Sequence, residues 1–293
     1  MSRIAAAFEK ASRERRAAFI AYLTAGDPSG EETVAMARAL ERAGADILEM
    51  GVPFSDPIAD GPVLQRSAER ALASGTTLNG VFEMARTIRR ETKLALVLFT
   101  YLNPLLRAGL GASARRAREA GFDAVLVTDL PPEEAGQFQP ALRSAGLDTV
   151  FLVSPTSPAT RMNSAARLSS GFLYVVSRSG TTGARLELPR GLRDTVRRSR
   201  RAAGPLPIAL GFGISTPETA RRASRLADGV VVGSALVRAA AEAAKAGKSP
   251  ERAVESLARS LVEACRRERV ETRESRVESK AKARGHGTLD SGL

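Results

Sequence analysis

Tryptophan is absent from these 293 residues, and histidine and cysteine occur once each. The one histidine, His286, lies in a polar C-terminal stretch, so a histidine acid/base pair or a His-ligated metal in the core is excluded. The one cysteine, Cys265, cannot form an intrachain disulfide and suits a reducing compartment; it falls in a late helical pattern, as a buried, inert thiol would. Lysines are few, and Lys93 alone borders a central apolar run, at its start. A Schiff-base mechanism therefore finds no suitable amine. No run of about 18 apolar residues exists to span a membrane, and the stretch Met1 to Arg16 lacks the apolar stretch of a secretory signal. A cytoplasmic protein opening with an amphipathic helix is expected. Carboxylates are left to carry any proton transfer.

The net charge of +12 raises the question of nucleic acid. The basic residues are dispersed arginines on helical patterns, as in Arg197, Arg198, Arg200 and Arg201, and aromatics make up only 4% of the chain. No stacking platform is visible. A solvated helix face is the expected role, without nucleic acid or membrane as partner.

Eight short apolar runs recur with helical patterns between them. The predicted strands are 18–24, 46–52, 94–100, 123–128, 148–153, 172–177, 206–210 and 228–233, and the predicted helices include 31–43, 77–91, 111–120, 133–145, 188–202 and 216–226. Near-continuous apolar strands indicate burial on both faces, as in parallel sheets. Gly44, Gly121 and Gly146 stand where a helix gives way to a strand, the place of a left-handed cap. Eight consecutive βα units favour a closed (β/α)8 TIM barrel, with an extra N-terminal helix, over an open sheet. The barrel is expected over 1–267 as one domain, followed by a polar, disordered tail over 268–293. That tail carries six Lys/Arg and five Asp/Glu, so the excess positive charge belongs to the barrel.

In such a barrel the working groups sit at the C-terminal strand ends and in the loops that follow. Glu49 interrupts the apolar second strand, and Asp60 lies in the Pro- and Gly-rich loop after it. Burial is costly for a carboxylate unless it is paired or functional, and it raises the pKa toward that of a proton donor. Spacing alone leaves open a paired structural Glu49 and a turn-forming Asp60. Gly211 to Ser215 follows the seventh strand, and Gly233-Ser234 follows the eighth and opens a helix. Loops at those two positions commonly cradle phosphate, with Gly213 and Gly233 admitting backbone N–H groups and Ser234 adding a hydroxyl. The polar loop Ser177 to Arg185, containing Thr182 and Gly183, suits a lid that excludes water. Tyr22, Phe99, Leu126, Val153 and Phe212 at strand ends would line an apolar pocket, although each alone suits core packing as well.

Taken together these segments resemble the tryptophan synthase alpha subunit family. The resemblance runs from about Phe19 to about Val237. It is densest over Leu48-Glu49-Met50-Gly51-Val52-Pro53-Phe54-Ser55-Asp56-Pro57-Ile58-Ala59-Asp60-Gly61-Pro62, and it includes Ala21 to Pro28, Ser177 to Gly183, Gly211 to Ile214 and Gly233-Ser234. It implies retro-aldol cleavage of indole-3-glycerol phosphate to indole and glyceraldehyde 3-phosphate. It also implies Glu49 and Asp60 as catalytic groups, Tyr174 beside them, and no metal or cofactor in this chain. A beta subunit carrying pyridoxal phosphate is the implied partner, in an alpha2-beta2 heterotetramer. The segments 53–56, 103–106 and 129–131 would face it. Tyr22 and Phe99 stand where other hydrophobic residues occur in the family, which alters the shape of the indole pocket. The readings set against this one are a non-catalytic phosphate-binding barrel and a freestanding lyase.

Overall fold

The computed structural model describes residues 2–176, 191–211 and 213–266. The lid segment with Thr182 and Gly183, Phe212, the start of the helix expected over 188–202 and the tail over 268–293 lie outside the described residues. Helix α1 (Arg3–Arg13) precedes the first strand. The strands are β1 (Ala18–Thr24), β2 (Ile47–Gly51), β3 (Ala95–Thr100), β4 (Ala124–Val127), β5 (Asp148–Val153), β6 (Phe172–Val176), β7 (Ile208–Gly211) and β8 (Gly229–Val232). Each pairs in parallel with the next, and β8 pairs with β1, so the barrel is closed. Among the described residues the surrounding helices are α2 (Gly30–Arg42), α3 (Pro62–Ala73), α4 (Leu78–Glu91), α5 (Leu102–Arg107), α6 (Leu110–Glu119), α7 (Phe138–Ser144), α8 (Ala159–Leu168), α9 (Leu192–Ala203), α10 (Pro217–Ser224), α11 (Ser234–Lys245) and α12 (Pro250–Ala264). None of the described helices is long and apolar enough to cross a membrane.

Alternation along each strand divides the apolar residues into two cores. One set, including Phe19, Leu23, Leu48, Met50, Leu96 and Leu98, packs outward against the helices. The other, including Ile20, Tyr22, Ile47, Val97, Phe99, Phe172, Tyr174 and Val231, fills the barrel interior. Helix α1 closes the bottom of the barrel with Ile4 and Phe8, whose ring lies 5.7 Å from that of Phe172. The top is left for chemistry.

The predicted glycine caps are present, with φ of +97° at both Gly44 and Gly121. The aspartates two residues past them are structural. Asp46 accepts two bonds from the Arg16 guanidinium, at 2.5 and 2.7 Å, and one from the Phe19 N–H. Asp123 accepts the Leu96 N–H and pairs with Arg89 and Arg3. The helix expected over 133–145 is broken into a 3₁₀ turn (Pro132–Glu134) and α7. Gly136 interrupts it, and the ring of Pro140 is tolerated only in a first helical turn.

Candidate active site

Ile47 faces the barrel interior, so the two-residue period of β2 turns Glu49 inward as well. Its neighbours in register are Tyr22 on β1 and Val97 on β3. The carboxyl is 1% exposed, and its Oε1 has no hydrogen-bond partner in the structure. Burial alone pushes its pKa from the usual 4.5 up to about 8. A carboxyl in this state is a neutral proton donor at pH 7.

Asp60 ends the loop that joins β2 to α3. It is 7% exposed and accepts a 3.1 Å bond from the Tyr101 hydroxyl. That hydroxyl in turn accepts the Ala59 N–H at 3.0 Å, and its ring packs on Phe54 with centroids 5.1 Å apart. Tyr101, at the end of β3, thus holds the loop and the carboxylate together. The Gln65 amide donates to the Asp60 carbonyl at 2.9 Å from the first turn of α3. Burial raises the Asp60 pKa to about 6, with the Tyr101 bond opposing the rise. The two carboxyls are therefore offset, one protonated and one ionised near neutrality.

Both carboxyls line one cleft at the top of the barrel with Tyr22, Leu64, Phe99, Tyr174, Gly213, Ile214, Val231, Gly233 and Ser234. The Tyr22 and Phe99 rings meet edge to face with centroids 5.0 Å apart. Tyr174 is fully buried, and its phenol is held well above its ordinary pKa by desolvation and by the nearby Glu49. At the other end of the cleft, Gly213 takes φ of +83°, a backbone state that glycine adopts without strain. Gly233 is the N-cap residue of α11, and no side chain caps that helix, whereas Ser29, Thr77 and Ser249 cap α2, α4 and α12. The first N–H groups of α11 are open to an anion beside the Ser234 hydroxyl.

The structure thus gathers eight of the expected site residues: Glu49, Asp60, Tyr22, Phe99, Tyr174, Gly213, Gly233 and Ser234. Leu126 is fully buried in the barrel interior and is not among the residues that line the cleft. Val153 belongs to the outer core, because its parity on β5 turns it toward the helices. Sequence reasoning named Ile214 only as part of the phosphate loop and missed Leu64, Val231 and Tyr101. The last carried a signal, an aromatic with a hydroxyl directly after the third strand.

A profile of the tryptophan synthase alpha chain family matches residues 8–266. The chain is similar to the tryptophan synthase alpha chain of Solibacter usitatus, with 52% identity over 238 residues, 81% of this chain and 89% of that one. It is 47% identical over 258 residues to that of Opitutus terrae, covering 88% and 96% of the two chains. The crystal structure of the alpha chain from Legionella pneumophila superposes with a TM-score of 0.83 at 39% identity, covering 90% of this chain and 97% of that chain.

Proposed function

The chain belongs to the tryptophan synthase alpha chain family, and from that membership we infer that the cleft at its barrel mouth is a carbon–carbon lyase site. It cleaves indole-3-glycerol phosphate to indole and glyceraldehyde 3-phosphate. The observation that carries the assignment of roles is Glu49, a buried carboxyl without a partner at Oε1, raised to about pH 8 beside an ionised second carboxylate.

Glu49 gives its proton to C3 of the indole ring, which places positive charge on the ring nitrogen. Asp60 accepts the indole N–H and stabilises that charge. The Glu49 carboxylate then takes the proton from the glycerol hydroxyl. That carbon becomes the aldehyde as the carbon–carbon electrons return to the ring, and Glu49 regains the proton it gave. The substrate ring serves as the electron sink, so the step needs no amine and no cofactor in this chain. Gly213, Gly233, Ser234 and the open end of α11 hold the phosphate, while Tyr22, Phe99 and Tyr174 enclose the ring. Leu126 backs this pocket from within the barrel, and the family resemblance assigns Thr182, Gly183 and Phe212 to substrate binding as well.

The partner on this reading is a beta subunit bearing pyridoxal phosphate, in an alpha2-beta2 assembly in the cytoplasm. Two exposed apolar side chains near the mouth support it: Ile58, 80% exposed in the Asp60 loop, and Leu106, 54% exposed on α5. The domain is assigned to 1–267. The pairing of Arg16 with Arg266 and the Ala17 N–H bond to the Cys265 carbonyl tie its end to its beginning.

The test is indole release from indole-3-glycerol phosphate, with and without added beta subunit. Wild type is expected to release indole, and Glu49→Gln to lose about 10²–10⁴-fold or more, the contribution of a positioned proton-transfer group. Asp60→Asn should lose activity while still binding the phosphate. An inactive wild type, even with the beta subunit present, would overturn the assignment.

A further inference from the structure

Tyr22 enters the proposed reaction only as a wall of the pocket, yet its hydroxyl is tied into a directed chain. Ser67, fully buried on α3, donates its single proton to the Leu64 carbonyl at 2.7 Å. The Thr24 and Ser67 hydroxyl oxygens lie 2.7 Å apart, so Thr24 must be the donor of that bond. The Thr24 proton is then committed. The Tyr22 hydroxyl, 3.3 Å from the Thr24 oxygen, must donate to it in turn. The polarity runs one way, from the pocket wall through Thr24 and Ser67 to the backbone of α3.

The direction matters because of what faces Tyr22. Its phenol fills the interior space over Gly51, where a side-chain carbon would collide with the ring oxygen. Gly51 is two residues from Glu49 on the same face of β2, roughly 6.6 Å along the strand. The titratable groups around it are Glu49 on β2, Asp60 in the β2–α3 loop, Tyr101 at the end of β3 and Tyr174 on β6. No Lys, Arg or His is among the described residues lining the cleft. The charged groups that the Tyr22 phenol senses are Asp60 and Glu49, and Glu49 has no partner at Oε1.

We propose that Thr24 and Ser67 hold the Tyr22 hydroxyl as a donor into the fold, so that its proton is withheld from Glu49 and Asp60. Tyr22 is a positioning residue on this account, and Thr24 and Ser67 set its direction. The inference rests on the lyase reading of the cleft. Its consequence is that the acid keeps its proton. A hydrogen bond from a phenol would stabilise the carboxylate form and spoil the donor.

Thr24→Val removes the acceptor of the Tyr22 proton at nearly constant volume. Ser67→Ala removes the acceptor of the Thr24 proton, which can then turn onto the Tyr22 oxygen and free the phenol proton. In both variants a limb of the kcat/KM–pH profile should fall by about one pH unit: the alkaline limb if Glu49 gains the bond, the acid limb if Asp60 does. Adding Tyr22→Phe to either variant removes the proton and should return the limbs to those of Tyr22→Phe alone. A purely structural role for the two hydroxyls would not be reversed in this way. The same titration followed by infrared spectroscopy of the Glu49 carboxyl in isotopically labelled full-length protein, with Glu49→Gln as reference, reads the state of the acid without turnover. Limbs and carboxyl band unmoved in both variants would overturn the inference, as would shifts that persist with Phe at position 22. An inactive wild type whose carboxyl band shifts as expected would instead count against the lyase reading alone.

Discussion

The surroundings of Glu49 and Asp60 hold two carboxyls in opposite charge states near neutrality. The proposed lyase roles require Glu49 protonated and Asp60 ionised, so kcat/KM should be bell-shaped, falling above about pH 8 and below about pH 6. A pH–rate profile checks both limbs, and Asp60→Asn should remove the acid one. The same burial bears on stability. A carboxyl with a raised folded pKa binds its proton more tightly when folded, so its burden on the fold is absent at low pH and grows as pH rises from about 4.5 to about 8. The full burden above pH 8 is up to about 5 kcal/mol for a group this buried. Glu49→Gln should therefore unfold later than wild type in urea at pH 8.5, with the difference shrinking toward pH 5. At this scale the sequence was informative where chemistry contradicts its surroundings, as a Glu does in an apolar strand. For Tyr101 it offered only an aromatic hydroxyl after the third strand, because the importance of that residue lies in meeting Asp60 across 41 residues.

The strands and most helices follow from periodicity, and the glycine caps from the left-handed conformation they require. The limits of that reading are local too: α7 begins where Gly136 and Pro140 permit. The aspartates that open β2 and β4 show what element boundaries cost to hold. Asp123 satisfies the Leu96 N–H and the half-buried Arg89 at once. Asp123→Ala would leave both without that partner, a loss of roughly 3–5 kcal/mol by the usual cost of breaking a buried ion pair. Urea denaturation measures it, and a loss below 1 kcal/mol would show that water replaces the carboxylate. The parity of Val153 is the matching failure. The second residue of a strand pair can be apolar on either face when both faces are buried, and only the closed barrel tells inside from outside.

For the whole molecule, the barrel separates a bottom sealed by α1 from a mouth that holds the cleft and the exposed Ile58 and Leu106. Replacing both with Asp should weaken binding to the beta subunit by at least tenfold in sedimentation or titration. The thermal midpoint of the isolated chain should change little, because neither side chain packs in the core. Equal affinity for the partner would move the interface elsewhere. Most of the net charge of +12 remains with the barrel, where many arginines pair with acids on neighbouring elements, as Arg42 does with Glu251 and Glu255. The amino-acid sequence by itself determined the number and order of the βα units, the residue types able to move protons and the glycines that follow the last two strands. These depend on local conformational preference and on which functional groups exist in the chain. Only the tertiary structure decided which face each strand residue takes, that Glu49 stands without a partner at Oε1 while Asp60 is held by Tyr101, and that the Tyr22 proton runs into the fold. Those depend on groups distant in the chain meeting where water is excluded, and the removal of water is what moves the carboxyl pKa values.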